Sequence, residues 1–276
     1  MKPLAVALFA SSCASGTVDV PCDDPESTRV YVATTLYFAR QEPVGVSEGF
    51  NLDGRVSTEE DEGGCFRPDF TSPTGVQGID NAFGALLPAL ETIGGDAIEG
   101  LANEAIKSGE LLLLFELEDF DSREADSCVH VDVARGRGTP LLGSDGLLEQ
   151  GQSLDLDQDA PSSRVENVVI ASAELLMTPF SLQLPLDVFD RHIDLTLYDG
   201  TAWIQLDEEG RAQAIVGGSL SVEEIRSIAA DVGENLTETL DAVVVHNADL
   251  DPDADGICQG ISVTLKMDLT SVHLYQ

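Results

Sequence analysis

Phe180-Ser-Leu182-Gln-Leu184-Pro-Leu186-Asp-Val188 carries the reading of the fold. Apolar side chains at every second position over nine residues are the pattern of a strand with one buried face. Ile193, Leu195 and Leu197 continue the alternation, and Asp199-Gly200 supplies a hairpin turn. The return strand carries Ala202, Ile204 and Leu206, with Trp203 on the opposite face. Asp207-Glu208-Glu209-Gly210 then turns the chain into a third run, Ala212 to Leu220. Consecutive strands joined by tight turns make an antiparallel meander.

Working outward, Ser221-Val-Glu-Glu224 is a capping box, with Ser221 as N-cap and Glu224 reaching back. Ile225, Ile228, Ala229, Val232, Leu236 and Leu240 trace a helical stripe bent at Gly233. The closing strand alternates through Ile261, Val263, Leu265, Met267 and Leu269. Its parity shifts at Val272 and Leu274, which predicts a bulge near Thr270-Ser271. Toward the N-terminus, Thr28 to Arg40 is a strand whose two parities are both apolar enough to be covered. The runs Leu111 to Phe120 and Val129 to Ala134 are further strands. Asp80 or Asn81 caps a helix with Phe83, Leu86, Leu87, Leu90 and Ile93 on one face, kinked or divided by Pro88. After Gly94-Gly95 a second helix places Ile98, Leu101, Ala105 and Ile106 inward. The expectation is an α+β chain, mainly antiparallel β, with a meander or sandwich-like sheet and a few packed helices.

With 276 residues and 43% hydrophobic content, a sizeable core can be buried. The net charge of -36 comes from 50 Asp and Glu against 14 Lys and Arg. Such a surface repels phosphates and anionic headgroups, which excludes nucleic-acid binding. The acids are spread along the chain with apolar periodicity between them, the mark of a folded acidic protein and not of a disordered one.

Residues 1–13 resemble a bacterial lipoprotein signal. Lys2 precedes the apolar Pro3 to Ala10, and small residues lead to Cys13, the residue that would be lipidated. Ala10 stands where leucine is usual, so ordinary signal cleavage is the alternative. Residues 14–27 form a polar lead-in and 28–276 a single β-rich domain, with an internal boundary placed near 150–164, where Asp155, Asp157 and Asp159 precede Pro161. Setting Cys13 aside, Cys22, Cys65, Cys128 and Cys258 make an even, widely spaced set. In an exported protein these suggest two disulfides, with three pairings open.

The most committed chemical stretch is Asp249-Leu-Asp251-Pro-Asp253-Ala-Asp255-Gly256-Ile-Cys258. Alternating carboxylates with a turn glycine suit a hard cation, so Asp249, Asp251, Asp253 and Asp255 are calcium candidates. Position twelve from Asp251 is Ser262, not glutamate, and a strand follows in place of an exit helix, so the loop is no EF-hand. A solvated acidic turn is the plain alternative. No Gly-x-Ser-x-Gly or His-Glu-x-x-His motif occurs. His130, His192 and His273 lie in strand patterns, and His246 adjoins the acidic loop, where a carboxylate partner is conceivable. Gly136-Arg-Gly138 lacks the remaining glycine of a dinucleotide fingerprint. Asn235-Leu-Thr237 is a formal sequon inside a helix pattern. Phe189, Tyr198 and Trp203 form either core or sheet-surface packing or an apolar or sugar-stacking patch.

The signal-like start, Ser72-Pro-Thr-Gly75-Val-Gln-Gly78-Ile-Asp80-Asn81 and the Asp249 to Cys258 stretch together resemble acidic surface lipoproteins of the myxobacterial kind. The resemblance covers short motifs and implies an envelope or secreted location without an activity. The expected protein is therefore exported and lipid-anchored, an outer-membrane lipoprotein of a Gram-negative bacterium. Its expected role is structural or interactive and non-enzymatic, with calcium as the one cofactor and an unidentified protein as partner. A carrier holding an apolar ligand between sheet and helix is the alternative, and a motif-less secreted hydrolase the third reading.

Overall fold

A computed structural model describes residues 27–92, 96–188, 191–232 and 244–275. The strands are β1 (Arg29–Phe38), β2 (Phe70–Thr71), β3 (Gln77–Ile79), β4 (Leu112–Glu118), β5 (Ala125–Arg137), β6 (Ser153–Leu156), β7 (Ser163–Ala171), β8 (Glu174–Val188), β9 (Arg191–Leu206), β10 (Arg211–Ser221), β11 (Leu250–Pro252) and β12 (Cys258–Leu274). The helices are α1 (Ala82–Thr92), α2 (Asp96–Ser108) and α3 (Val222–Val232). At 51% strand and 13% helix, the chain is a mainly antiparallel α+β protein, as its periodicity predicts.

Pairing runs β1–β4–β5–β7–β8–β9–β10–β12 and returns from β12 to β1, antiparallel at every step. The strands thus close on themselves as a barrel. Following partners once round the ring from Val272 leads back to β12 about ten residues along, the stagger that tilted strands need for closure. Inward positions are apolar and packed: Phe115, Leu117, Val131, Ile170, Met177, Ile204, Val216 and Leu265 are all almost fully buried. Outward positions of β7 to β10 include Glu166, Glu174, Gln205 and Gln213. That is the reverse of a membrane-spanning barrel, which is apolar outside. No described helix is long and apolar enough to cross a membrane.

Parity along β1 does not survive from sequence to structure. The pairing with β12 slips between Ala33 and Thr35, so Tyr31 and Ala33 share the inward face with Leu36 and Phe38. The bulge predicted at Thr270-Ser271 is absent. The β12 register runs unbroken from Leu269 to Val272, and the irregularity sits on β1. Val272 points outward and is buried all the same, like Val30, Val32, Leu112 and Leu114. Their cover is the segment between β5 and β7. Its β6 bonds to Gly136–Arg137 of β5 and to His273–Leu274 of β12, the strands on either side of β1 and β4. Leu148 and Leu154 of that segment join the same apolar cluster. A Cβ on Gly136 would lie 3.2 Å from Leu112 Cβ and 3.5 Å from the Asp155 carbonyl, so glycine permits this close approach. The stretch near 150–164 thereby straps the barrel's outer face.

Asp199-Gly200 is also not the hairpin turn that its composition predicts. β9 runs straight through it, pairing with β8 from Arg191 opposite Val188 to Gln205 opposite Glu174. Asp199 takes φ 49° within a slip in register on both sides of the strand. An Asp-Gly pair suits the left-handed geometry of a bulge as well as that of a turn. Gly200 makes room for Phe180, whose ring atoms would come within 3.0 Å of a Cβ there.

α1 runs through Pro88 from Ala82 to Thr92. In α2, Ala102, Ala105 and Ile106 are buried, but Leu101 is 45% exposed, contrary to the inward stripe expected of it. The helix is set by its polar bonds to β1. Asn103 accepts from the Leu36 amide at 3.0 Å and donates to its carbonyl at 2.8 Å, and Glu99 accepts from the Phe38 amide at 2.8 Å. β4 bonds only to Arg29–Val32, so α2 takes the backbone groups of β1 that β4 is too short to reach. In the capping box, Ser221 Oγ accepts from the Glu224 amide at 3.3 Å. Burial raises the pKa of the Glu224 carboxyl, and its Oε2 is buried without a hydrogen-bond partner among the described residues. Gly233, Asn235, Leu236, Thr237 and Leu240 lie outside the described residues, as do Ile93, Phe189 and the segment 1–26 with Cys13 and Cys22.

Candidate functional site

Asp249, Asp251, Asp253 and Asp255 do not point at a common centre. Asp249 is buried against the outward side of β12. It accepts from the Ser262 amide at 2.8 Å and from the Ser262 hydroxyl. Asp253 folds back on its own turn, accepting from the Asp255 and Ile257 amides at 2.9 and 3.0 Å and from Gln259 at 3.1 Å. This ties off the β11–β12 hairpin, with Asp253 N donating to the Ile257 carbonyl. Asp251 and Asp255 are exposed, and Asp251 Oδ2 lies 3.4 Å from the Ser219 hydroxyl. Among the described residues no three His, Cys, Asp or Glu side chains come together as a metal site needs.

What the fold does bring together is a different set of carboxyls. The chain from Gly45 to Asn81 folds over the outward side of β12, where Ser262 and Thr264 are fully buried. Asn81 holds this docking in place. Its Nδ2 donates to the Ala39 carbonyl (3.0 Å) and the Ser47 hydroxyl (2.8 Å), and its Oδ1 accepts from the Thr264 amide (3.1 Å) and the Gly84 amide (3.3 Å). Asn81 thus caps α1, and the Ala82 amide donates to Ser262 Oγ at 2.7 Å, which links Asp249 to the same network. Gly49 approaches so closely that a Cβ there would lie 2.8 Å from Thr264 Oγ1.

Asp80 sits beneath this loop, 3% exposed, with Oδ2 accepting from the Leu52 amide at 2.6 Å and the Asp53 amide at 3.3 Å. Asp69 accepts from the Ser57 amide at 2.5 Å and lies near enough to Asp80 for the two carboxyls to repel each other. Burial pushes Asp80 up to about 8, and repulsion from Asp69, Asp53 and Asp249 adds to it. Burial likewise raises Asp249 to about 7, against the opposing pull of its Ser262 bonds, and raises Asp69.

The sequence marks Asp80 only as a helix cap and gives Asp69 no role. The signal that could have found Asp80 is Gly78-Ile-Asp80-Asn81, where a glycine, at φ 83° in the structure, precedes two polar residues; Asp69 carries no such signal. Cys65 and Cys258 are disulfide-bonded, Cα atoms 6.0 Å apart, and join this loop to the start of β12. Cys128 is disulfide-bonded as well. Among the described residues, His130 has a carboxylate neighbour, Asp119 Oδ2 at 3.6 Å, while His246 lies exposed in a short 3₁₀ turn.

A groove of about 420 Å³ opens beside the loop, lined by Tyr37, Phe38, Arg40, Glu42, Ser47, Glu48, Pro73 and Lys266. Neither Asp69 nor Asp80 lines it. The paired carboxyls are bound to backbone amides and shut off from the groove, which suits locking the loop and not acid–base chemistry on a substrate. In comparisons with known proteins, the chain matches no family model, no curated protein and no solved structure.

Proposed function

We propose that the protein is an exported, lipid-anchored acidic protein of the cell envelope, an outer-membrane lipoprotein with a structural or interaction role and no catalytic one. The filled barrel carries this reading. An apolar carrier needs a chamber, and a chamber would leave part of its lining accessible to water. Leu113, Phe115, Val129, Leu197 and Val216 on the inner wall are instead 0% exposed, which leaves the outer surface as the working part. Export is supported by the disulfide, since such bonds persist in oxidising compartments. The net charge of -36 suits a protein held near the envelope by an anchor and not by its surface.

Calcium enters the proposal in a narrower form than the acidic run suggests. Asp249 and Asp253 are held by bonds within the fold and Asp251 Oδ2 accepts from the Ser219 hydroxyl, so the other Asp251 oxygen and Asp255 would supply the donors at the hairpin.

Cell fractionation tests the central claim. Wild-type protein is expected in the membrane fraction, and Cys13→Ala is expected to leave soluble, folded protein outside the cytoplasm. If the variant still pellets with membranes, or if the wild type is cytoplasmic, the reading is wrong.

A further inference from the structure

Although the barrel's outward positions are mostly polar, one row is not. Ile215 pairs with Trp203, Trp203 with Leu176, and the β7–β8 register places Val169 beside Leu176. These four side chains stand next to each other on the outer face of β7, β8, β9 and β10. Val169 is 55% and Leu176 56% exposed, and Trp203 and Ile215 are half-buried. Single exposed apolar residues are ordinary, but four in register across adjoining strands form a continuous patch. With strands about 4.8 Å apart, the row is about 14 Å long.

The rank two residues along runs Glu174, Gln205, Gln213 and Asp268, again in register. Trp203 Nε1 donates to Glu174 at 3.3 Å, and Gln213 to Asp268 at 3.3 Å. Beyond it the β9–β10 turn carries Asp207, Glu208 and Glu209. The patch is therefore apolar in the middle and acidic along one border.

We propose that this patch docks a cationic amphipathic helix of a partner protein. The inference rests on the surface-interaction role put forward above and names the partner's chemistry. Apolar residues at i, i+4 and i+7 of a helix span about 10.5 Å, which fits the row, and lysines beside them face the acidic border. A second copy of the chain is the wrong occupant, since two surfaces of net charge -36 repel. An anionic bilayer is excluded for the same reason.

Trp203 is the one tryptophan in the chain, so its fluorescence reports occupation of the patch directly. The purified mature domain is titrated with a synthetic leucine–lysine helical peptide and with its scrambled, non-amphipathic counterpart. The amphipathic peptide is expected to give a saturable blue shift of Trp203 emission, and the scrambled one none. Leu176→Ser plus Val169→Ser is expected to weaken binding by about tenfold, with Gln183→Ser, outside the patch, leaving it unchanged. The proposal is overturned if the two peptides behave alike, if the double variant binds as tightly as wild type, or if Trp203 never responds. It is equally overturned if phosphatidylcholine vesicles, or dilution of the protein alone, produce the shift in place of the peptide. Because the measurement is made on isolated protein, its failure leaves the fractionation result, and the reading that depends on it, untouched.

Discussion

A carboxyl buried against a second carboxyl keeps its proton well above the pH at which a free one loses it. Asp80, with Asp69 beside it and its Oδ2 facing the Leu52 and Asp53 amides, is in that position, and Asp249 under Ser262 is close to it. Both groups hold a proton more tightly folded than unfolded. Between about pH 4, where the unfolded carboxyl titrates, and about pH 8, the folded state binds more protons, so stability falls as pH rises across that window. Asp157, held below the usual carboxylate range by its bonds to Arg135, acts in the opposite sense, at lower pH. Thermal melts from pH 5 to pH 8 are therefore expected to show a declining Tm for wild type and a flatter profile for Asp80→Asn, whose amide needs no titrating proton. Equal slopes would show that the pair does not set the pH dependence.

Among the elements, β6 does what its length and polarity conceal. Four residues long, it spans from β5 to β12 and, with Leu148 and Leu154, closes over an outward apolar face. Leu154 is 3% exposed, and its truncation removes apolar contact without rescue from neighbours. Leu154→Ala is expected to cost about 2–5 kcal/mol in chemical denaturation. Leu141→Ala in the same segment, 62% exposed, is expected to stay within about 0.5 kcal/mol. Similar losses for both would mean that the segment is not a strap. α2 makes the complementary repair at the other end of the short β4, through Asn103 and Glu99.

For the molecule as a whole, the dominant number is the charge. At -36, self-repulsion destabilises the compact state, and salt relieves it. Raising ionic strength from about 0.01 M to about 0.1 M shortens the screening length from about 30 Å to about 10 Å, and Tm is expected to rise with it. Calcium compared with sodium at equal ionic strength separates screening from binding. An additional rise that Asp251→Asn plus Asp255→Asn removes supports a site at the hairpin, while matched curves leave only screening.

Periodicity alone marked many of the strands and the helices, because burying one face of a strand imposes a two-residue repeat whatever the strand packs against, but it left β7 of the ring unmarked. It was enough for β10, for the alternation of β12 from Ile261 to Leu269 and for the antiparallel class, but it joined the first half of β9 to β8. It failed at Asp199-Gly200, where turn and bulge call for the same backbone geometry. It failed again at Val272, where the neighbour that buries an outward side chain comes from more than a hundred residues away. Ring closure, the β6 strap and the Asp69–Asp80 pair belong to the tertiary structure, since each depends on contacts between segments whose local sequence carries no record of the other. The acidic run at Asp249 to Asp255 shows the limit most plainly. Its composition marks it for a cation, but burial drew Asp249 to Ser262 and turn geometry drew Asp253 to its own amides. Only the packed chain decides which carboxyls share a site.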